Sequence, residues 1–128
     1  MAWVDLVVVA ALVQLFAFGF LVARARGIYH VKAPAVAGND MFERYYRVQM
    51  NTLELLVLLV PALYMAARYW SPGWVAATGA VYVLGRLVYL RAYITDPRSR
   101  TLGFALSAFP ILGLLAAAFL GAIKGVLA

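Results

Sequence analysis

From Trp3 to Ala23 the chain carries one charged residue, Asp5, and three further long apolar stretches follow it. A hydrocarbon layer roughly 30 Å thick is crossed by about 20 apolar residues in a helix. Runs of this length, without strand-like alternation, predict helices that span a membrane. The expected fold is therefore all-α, an integral membrane bundle of four helices in one domain over residues 1–128, with spans at about 3–23, 48–69, 74–94 and 101–126. Hydrophobic residues make up 66% of the chain and charged residues 12%, against roughly 45–50% and about 25% in a soluble domain. The four runs leave no room for a soluble domain beside them.

Local signals set the boundaries. Trp3 suits an interfacial anchor, and Arg24 and Arg26 end the first span. A polar connection is expected from Gly27 to about Asp40, with Lys32, Pro34 and Gly38 in it. Asn39 or Asp40 can cap the second helix, which runs from about Met41 to Tyr69 with Glu43 in its first turn. Pro61 removes one backbone donor inside it and predicts a bend, as Pro110 does in the fourth helix. Ser71-Pro72-Gly73 reads as a tight turn, and Thr95-Asp96-Pro97 closes the third helix. Ala23-Arg24-Ala25 mimics a leader-cleavage site, but Asp5 stands where a basic region would be needed and the apolar run is too long.

The formal net charge is +6, yet the basic residues lie beside or inside apolar helices and form no nucleic-acid recognition stripe. Nine of them, Arg24, Arg26, Lys32, Arg44, Arg47, Arg86, Arg91, Arg98 and Arg100, belong to the first and third loops and the adjoining helix ends. Arg68 and Lys124 lie at the other end. This bias predicts the polar end in the cytoplasm and both termini opposite; the expected location is a bacterial inner membrane. Cysteine is absent, so any thiol chemistry uses a thiol that arrives with the substrate, and no Cys-ligated metal is expected.

Two stripes carry chemistry. Arg47, Asn51 and Glu54 follow i, i+4, i+7 on the second helix, with Gln49 at the same depth. Tyr82, Arg86, Tyr89 and Tyr93 follow the same spacing on the third, and Arg100 begins the fourth. An ionisable group inside a membrane helix is costly and marks a site or pathway. Together the stripes predict a cationic pocket with one carboxylate, suited to a small zwitterion with surplus negative charge; guanidiniums would hold its carboxylates and Glu54 its ammonium. Arg24, Arg44, Arg91 and Arg98 fit the simpler reading of snorkelling, topology-setting cations. His30, alone in a loop, fits no metal or catalytic role, and Met41, Met50 and Met65 read as packing.

The run Phe42-Glu43-Arg44-Tyr45-Tyr46-Arg47-Val48-Gln49-Met50-Asn51-Thr52-Leu53-Glu54 closely resembles the E-R-x-x-R-x-Q-x-N-x-x-E signature of the MAPEG family, membrane-associated proteins in eicosanoid and glutathione metabolism. The block Tyr82-Val83-Leu84-Gly85-Arg86-Leu87-Val88-Tyr89, with Tyr93, resembles that family's third helix. The resemblance extends from Arg26 to Arg100 and is strongest to the leukotriene C synthase and microsomal glutathione transferase branch. It implies a homotrimer of four-helix subunits with glutathione, the co-substrate, bound between neighbours. It also implies glutathione contacts at Arg26, Arg47, Gln49, Asn51, Glu54, Tyr89 and Tyr93, with Arg86 and Tyr82 as further candidates. Arg100 corresponds to the catalytic arginine that stabilises the thiolate, a cation favouring the reactive form of sulfur. Leu55 replaces a family tyrosine and Leu112 replaces the tryptophan that closes the leukotriene enzyme's lipid groove, which points to another acceptor. Arg24 competes with Arg26, because a two-residue shift turns a helical side chain by about 200°.

The expectation is a membrane-bound transferase that joins glutathione to a lipophilic electrophile entering from the bilayer, with peroxidase activity toward lipid hydroperoxides as a variant; no metal is involved, and its partners are membrane lipids and further copies of itself. A non-catalytic lipid-binding member of the same family and a small four-helix multidrug transporter are the alternatives. The transporter's intramembrane glutamate usually lies in the first helix, where only Asp5 stands here.

Overall fold

The computed structural model describes residues 1–128. Its helices are α1 (Ala2–Tyr29), α2 (Asp40–Tyr69), α3 (Pro72–Thr95) and α4 (Thr101–Leu127), with a short 3-10 turn at Pro97–Ser99. All four helices are long and apolar enough to cross a membrane. They run alternately up and down, so both termini lie at the end opposite the basic loops. α1 packs against α2 and α3, α4 packs against the same two, and α2 meets α3 across the middle.

The first helix continues beyond the expected end of its span at Ala23. It reaches Tyr29, where His30 adopts a left-handed conformation (φ 57°) and its backbone N–H returns to the Arg26 carbonyl. Arginine is a good helix former, so Arg24 and Arg26 mark where the helix leaves the apolar layer without breaking it. At the start of α2, Asn39 rather than Asp40 is the cap: its Oδ1 accepts the Phe42 N–H at 3.0 Å, a contact that contributes about 1 kcal/mol. The Glu43 carboxylate reaches back to the Gly38 N–H at 3.3 Å. Pro61 and Pro110 both sit inside continuous helix.

Each helix buries one narrow stripe and leaves the rest apolar and exposed. On α1 the stripe is Val4, Val8, Ala11, Gln14, Phe18, Val22 and Ala25, at the three- and four-residue spacing of one face. In lipid the apolar exterior gains nothing by burial, so helices hold together through close fit and internal hydrogen bonds. α3 and α4 approach closest through reciprocal glycines. A side chain at Gly85 would meet the Leu106 backbone at 2.8 Å, and one at Gly103 would meet the Tyr89 backbone at 2.5 Å. Nothing larger than glycine fits at either contact, which sets the register of the polar residues between them.

Candidate functional site

The close approach of α3 and α4 draws Arg86 into the centre of the bundle. Its side chain is fully buried. Nε donates to Ser107 Oγ at 2.9 Å. One terminal nitrogen, Nη1, donates to Asn51 Oδ1 at 2.7 Å and to Thr52 Oγ1 at 3.2 Å. The hydroxyls of Thr52 and Ser107 give their own protons to the carbonyls of Val48 and Gly103, both at 2.7 Å, so each turns a lone pair toward the guanidinium. The guanidinium carbon lies 4.2 Å from the Tyr89 ring centroid and 5.9 Å from that of Tyr82, where ring faces stabilise a cation. Arg86 Nη2 has no hydrogen-bond partner. No carboxylate neutralises it: the chain's one ion pair, Arg44 with Asp40 at 2.9 Å, lies at the start of α2.

This interior differs from the open pocket expected of the two stripes. Tyr82 and Arg86 are both sealed inside the bundle and line no open surface; the Tyr82 hydroxyl donates to the Thr52 carbonyl at 3.4 Å. The reason is packing: their partners come from α2 and α4 together, and those helices close over them. Asn51 is half-buried at the edge of this network, with Arg47 and Glu54 exposed on the outward side of α2. Glu54, which its position in the run places about two turns into the membrane, faces out of the chain there. Tyr89 is buried, and its ring centroid lies 5.5 Å from that of the half-buried Tyr93 with the two rings tilted by 32°.

The other candidates are more scattered. Gln49 leans on α1, its Nε2 filling the space beside Gly19 where a side chain would stand 2.9 Å away. Arg26 is turned into the connection: Nη1 donates to the carbonyls of Ala35 at 2.6 Å and Val31 at 3.4 Å, and the guanidinium lies 4.8 Å above the Phe42 ring. Arg24 is exposed beside Tyr29 and Tyr45, on the other side of α1. Arg100, exposed at the head of α4, donates to the Pro97 carbonyl at 2.8 Å. So the structure joins Asn51, Arg86, Tyr82, Tyr89 and Tyr93 directly, and leaves Arg47 and Glu54 exposed on α2, Gln49 against α1 and Arg100 exposed at the head of α4. No three of the His, Asp and Glu side chains come together as a metal site.

Sequence reasoning missed Thr52, Ser107 and Gln14, each a lone polar side chain in an apolar run, and Arg44. Arg44 Nη1 donates to the carbonyls of Ile94 and Thr95 at 2.9 and 3.2 Å, completing the exposed C-terminus of α3. Gln14 Nε2 donates to the Val83 carbonyl at 2.9 Å, one turn from Arg86 on α3. The available signal was arithmetic: a buried arginine needs acceptors, and with Asn51 supplying one, the hydroxyls in neighbouring spans are the neutral groups left to supply the others.

Two grooves run along the surface of the bundle. One of about 460 Å³ lies between α1 and α2, is lined by Leu12, Leu15, Phe16, Gly19 and Phe20, and ends on Gln49. The largest, about 610 Å³ between α1 and α3, lies at the opposite end among Trp3, Val7, Ala76 and Ala80 and offers no group for chemistry.

Residues 4–120 match the pattern of the MAPEG family. The chain is 37% identical to human microsomal glutathione S-transferase 2 over 99 residues, which are 77% of this chain and 65% of that protein. It is 36% identical to leukotriene C4 synthase of Cavia porcellus over 104 residues, 81% of this chain and 69% of that protein. An uncharacterized protein of Synechocystis is 39% identical over 118 residues, 92% of this chain and 86% of that one.

Proposed function

The chain belongs to the MAPEG family, and we propose that it is a membrane-bound glutathione transferase joining the glutathione thiolate to a lipophilic electrophile. The observation that carries this reading is the outward face of α2, where Arg47, Asn51 and Glu54 lie in line and neither Arg47 nor Glu54 is paired within the chain. A carboxylate turned toward acyl chains is costly, so this face meets a polar ligand, a further copy of the chain, or both. Glutathione carries two carboxylates, one ammonium and a thiol. Guanidiniums from Arg47 and Arg26 match the carboxylates, Glu54 matches the ammonium, and Gln49, Asn51, Tyr89 and Tyr93 supply neutral contacts.

A homotrimer fits the same face, because it covers a charged surface that lipid would not tolerate. Arg100 is the cation assigned to the thiolate. Its release from Pro97 costs one exposed hydrogen bond, a small barrier to turning toward a ligand. The thiolate forms a new S–C bond while the acceptor's leaving group departs with its electron pair, or an epoxide C–O bond opens. The apolar groove that ends on Gln49 gives a lipophilic acceptor a lateral path from the bilayer. The basic end, with the site, lies on the cytoplasmic side.

The test is Glu54→Gln. Loss of the charge that holds the ammonium weakens glutathione binding by about 2–5 kcal/mol, while helical content and thermal unfolding in detergent stay near the wild type. Unchanged affinity by calorimetry removes Glu54 from the site. Failure of the wild type to turn over a generic aryl halide with glutathione counts against the transferase reading itself.

A further inference from the structure

Asn51 sits where the sealed interior meets the outward face of α2, and only one of its two amide ends can face inward. Arg86 is always charged and has donors only. The Asn51 atom 2.7 Å from its Nη1 is therefore the oxygen. The opposite flip would set N–H against N–H in a buried site and cost a hydrogen bond on each side. Arg86 is itself held, with Nε on Ser107, the second contact of Nη1 on Thr52, and the Tyr89 ring 4.2 Å from the guanidinium carbon. Both hydroxyls are locked as acceptors because their protons are spent on Val48 and Gly103. Three helices thus fix one amide rotamer. The cost is the desolvation of a buried guanidinium without a counter-charge and with Nη2 unpartnered, which a purely structural position could avoid with an apolar side chain.

We propose that Arg86 is a positioning residue for the bound thiol peptide. It turns Asn51 Oδ1 inward, so that Asn51 presents only its Nδ2 donors to the outer face and reads a carboxylate or peptide-carbonyl oxygen of glutathione. Arg86 itself touches no ligand. The assignment rests on glutathione being the ligand at this face. It adds a specificity rule to that reading: at Asn51 the site accepts an acceptor and rejects a donor.

A double-mutant cycle tests it, with glutathione affinity measured by calorimetry on purified protein for the wild type, Arg86→Met, Asn51→Ala and the double variant. Arg86→Met frees the amide to rotate, and each single variant is expected to weaken binding about tenfold, the usual value of one well-aligned hydrogen bond to a charged or carbonyl group. Because Arg86 acts through Asn51, the double variant binds within about twofold of Asn51→Ala alone. If Arg86 acts by its charge on the ligand, or only through folding, the losses multiply to about a hundredfold, which overturns the proposal, as does Arg86→Met with wild-type affinity. Should Arg86→Met not yield folded protein, Arg86→Lys takes its place. An ammonium serves only part of the acceptor set, so its smaller loss must likewise vanish in the Asn51→Ala background, and a loss that persists there overturns the role. Wild-type protein that binds no glutathione removes both the ligand reading and the role built on it; wild-type binding with an additive cycle removes the role alone.

Discussion

The two ends of the bundle hold together by different physics. Toward the termini, Val4, Val8, Leu59, Ala62, Leu63, Ala66, Leu114 and Ala118 interlock as a wholly apolar core. Toward the basic loops, α2, α3 and α4 converge on one guanidinium, and the contacts are hydrogen bonds from Arg86 to Asn51, Thr52 and Ser107. In lipid the apolar core at that end has no water to exclude and depends on shape, with hydrogen bonds from the Tyr64 hydroxyl to Asp5 and from Trp70 Nε1 to the Ala117 carbonyl only at its margin. The polar end pays a desolvation cost that packing would not require. A feature that weakens the fold and persists beside outward-facing ionisable groups is better explained by function than by stability.

Four substitutions break or sharpen that contrast. The largest effect is expected from Gly103→Val. Its branched side chain would meet the Tyr89 backbone, within 2.5 Å for the first carbon alone, forcing α3 from α4 and dispersing the polar layer. The loss is about 3 kcal/mol or more, read by thermal unfolding in detergent, and glutathione binding goes with it. A normal unfolding midpoint would mean that the two helices do not meet at this register.

Leu63→Ala acts at the other end. Leu63 is fully buried, and its truncation costs about 3 kcal/mol of stability while glutathione affinity stays unchanged. A matching fall in affinity would show that the two ends are coupled, and the contrast would fail.

Arg100→Ala is the converse case. The residue is exposed and bonded only to the Pro97 carbonyl, so stability holds while turnover falls about a hundredfold, the usual effect of losing one group that stabilises a developing or reactive anion. The pKa of bound glutathione's thiol rises, visible in the thiolate's ultraviolet absorbance across pH, and Arg100→Lys restores activity only in part. An unshifted titration with normal turnover passes the role to Arg26.

The smallest change is Gln14→Leu. It removes one hydrogen bond to the Val83 carbonyl together with an unpartnered Oε1, and these nearly cancel, so stability moves by about 1 kcal/mol or less. A much larger loss on chemical or thermal unfolding would make the polar layer a stabilising element and reverse the interpretation given to Arg86.

Much of this molecule could be read from residues alone. The length and polarity of the four runs dictate spanning helices, because a membrane leaves few other ways to satisfy the backbone. Asn39, with Glu43 four residues on, announces the start of α2. The outward line of Arg47, Asn51 and Glu54 was visible as spacing, since helical periodicity alone puts those positions together.

What periodicity cannot say is which side of a helix faces in. Spacing puts Arg86 in one stripe of α3 with Tyr82, Tyr89 and Tyr93 and leaves Arg91 outside it, but it does not say whether that stripe opens toward a ligand or closes into the bundle. The structure buries Arg86 and exposes Arg91, because Gly85 and Gly103 let α4 close on that side of α3 and bring Ser107 within reach. Tyr82, one turn before Arg86 on the same stripe, is buried with it. Sequence determined that this chain spans a membrane and which residues carry charge in it; only the packing of α3 against α4 decided which charge became the centre of the fold, since a buried guanidinium is tolerated only where acceptors from other helices meet it.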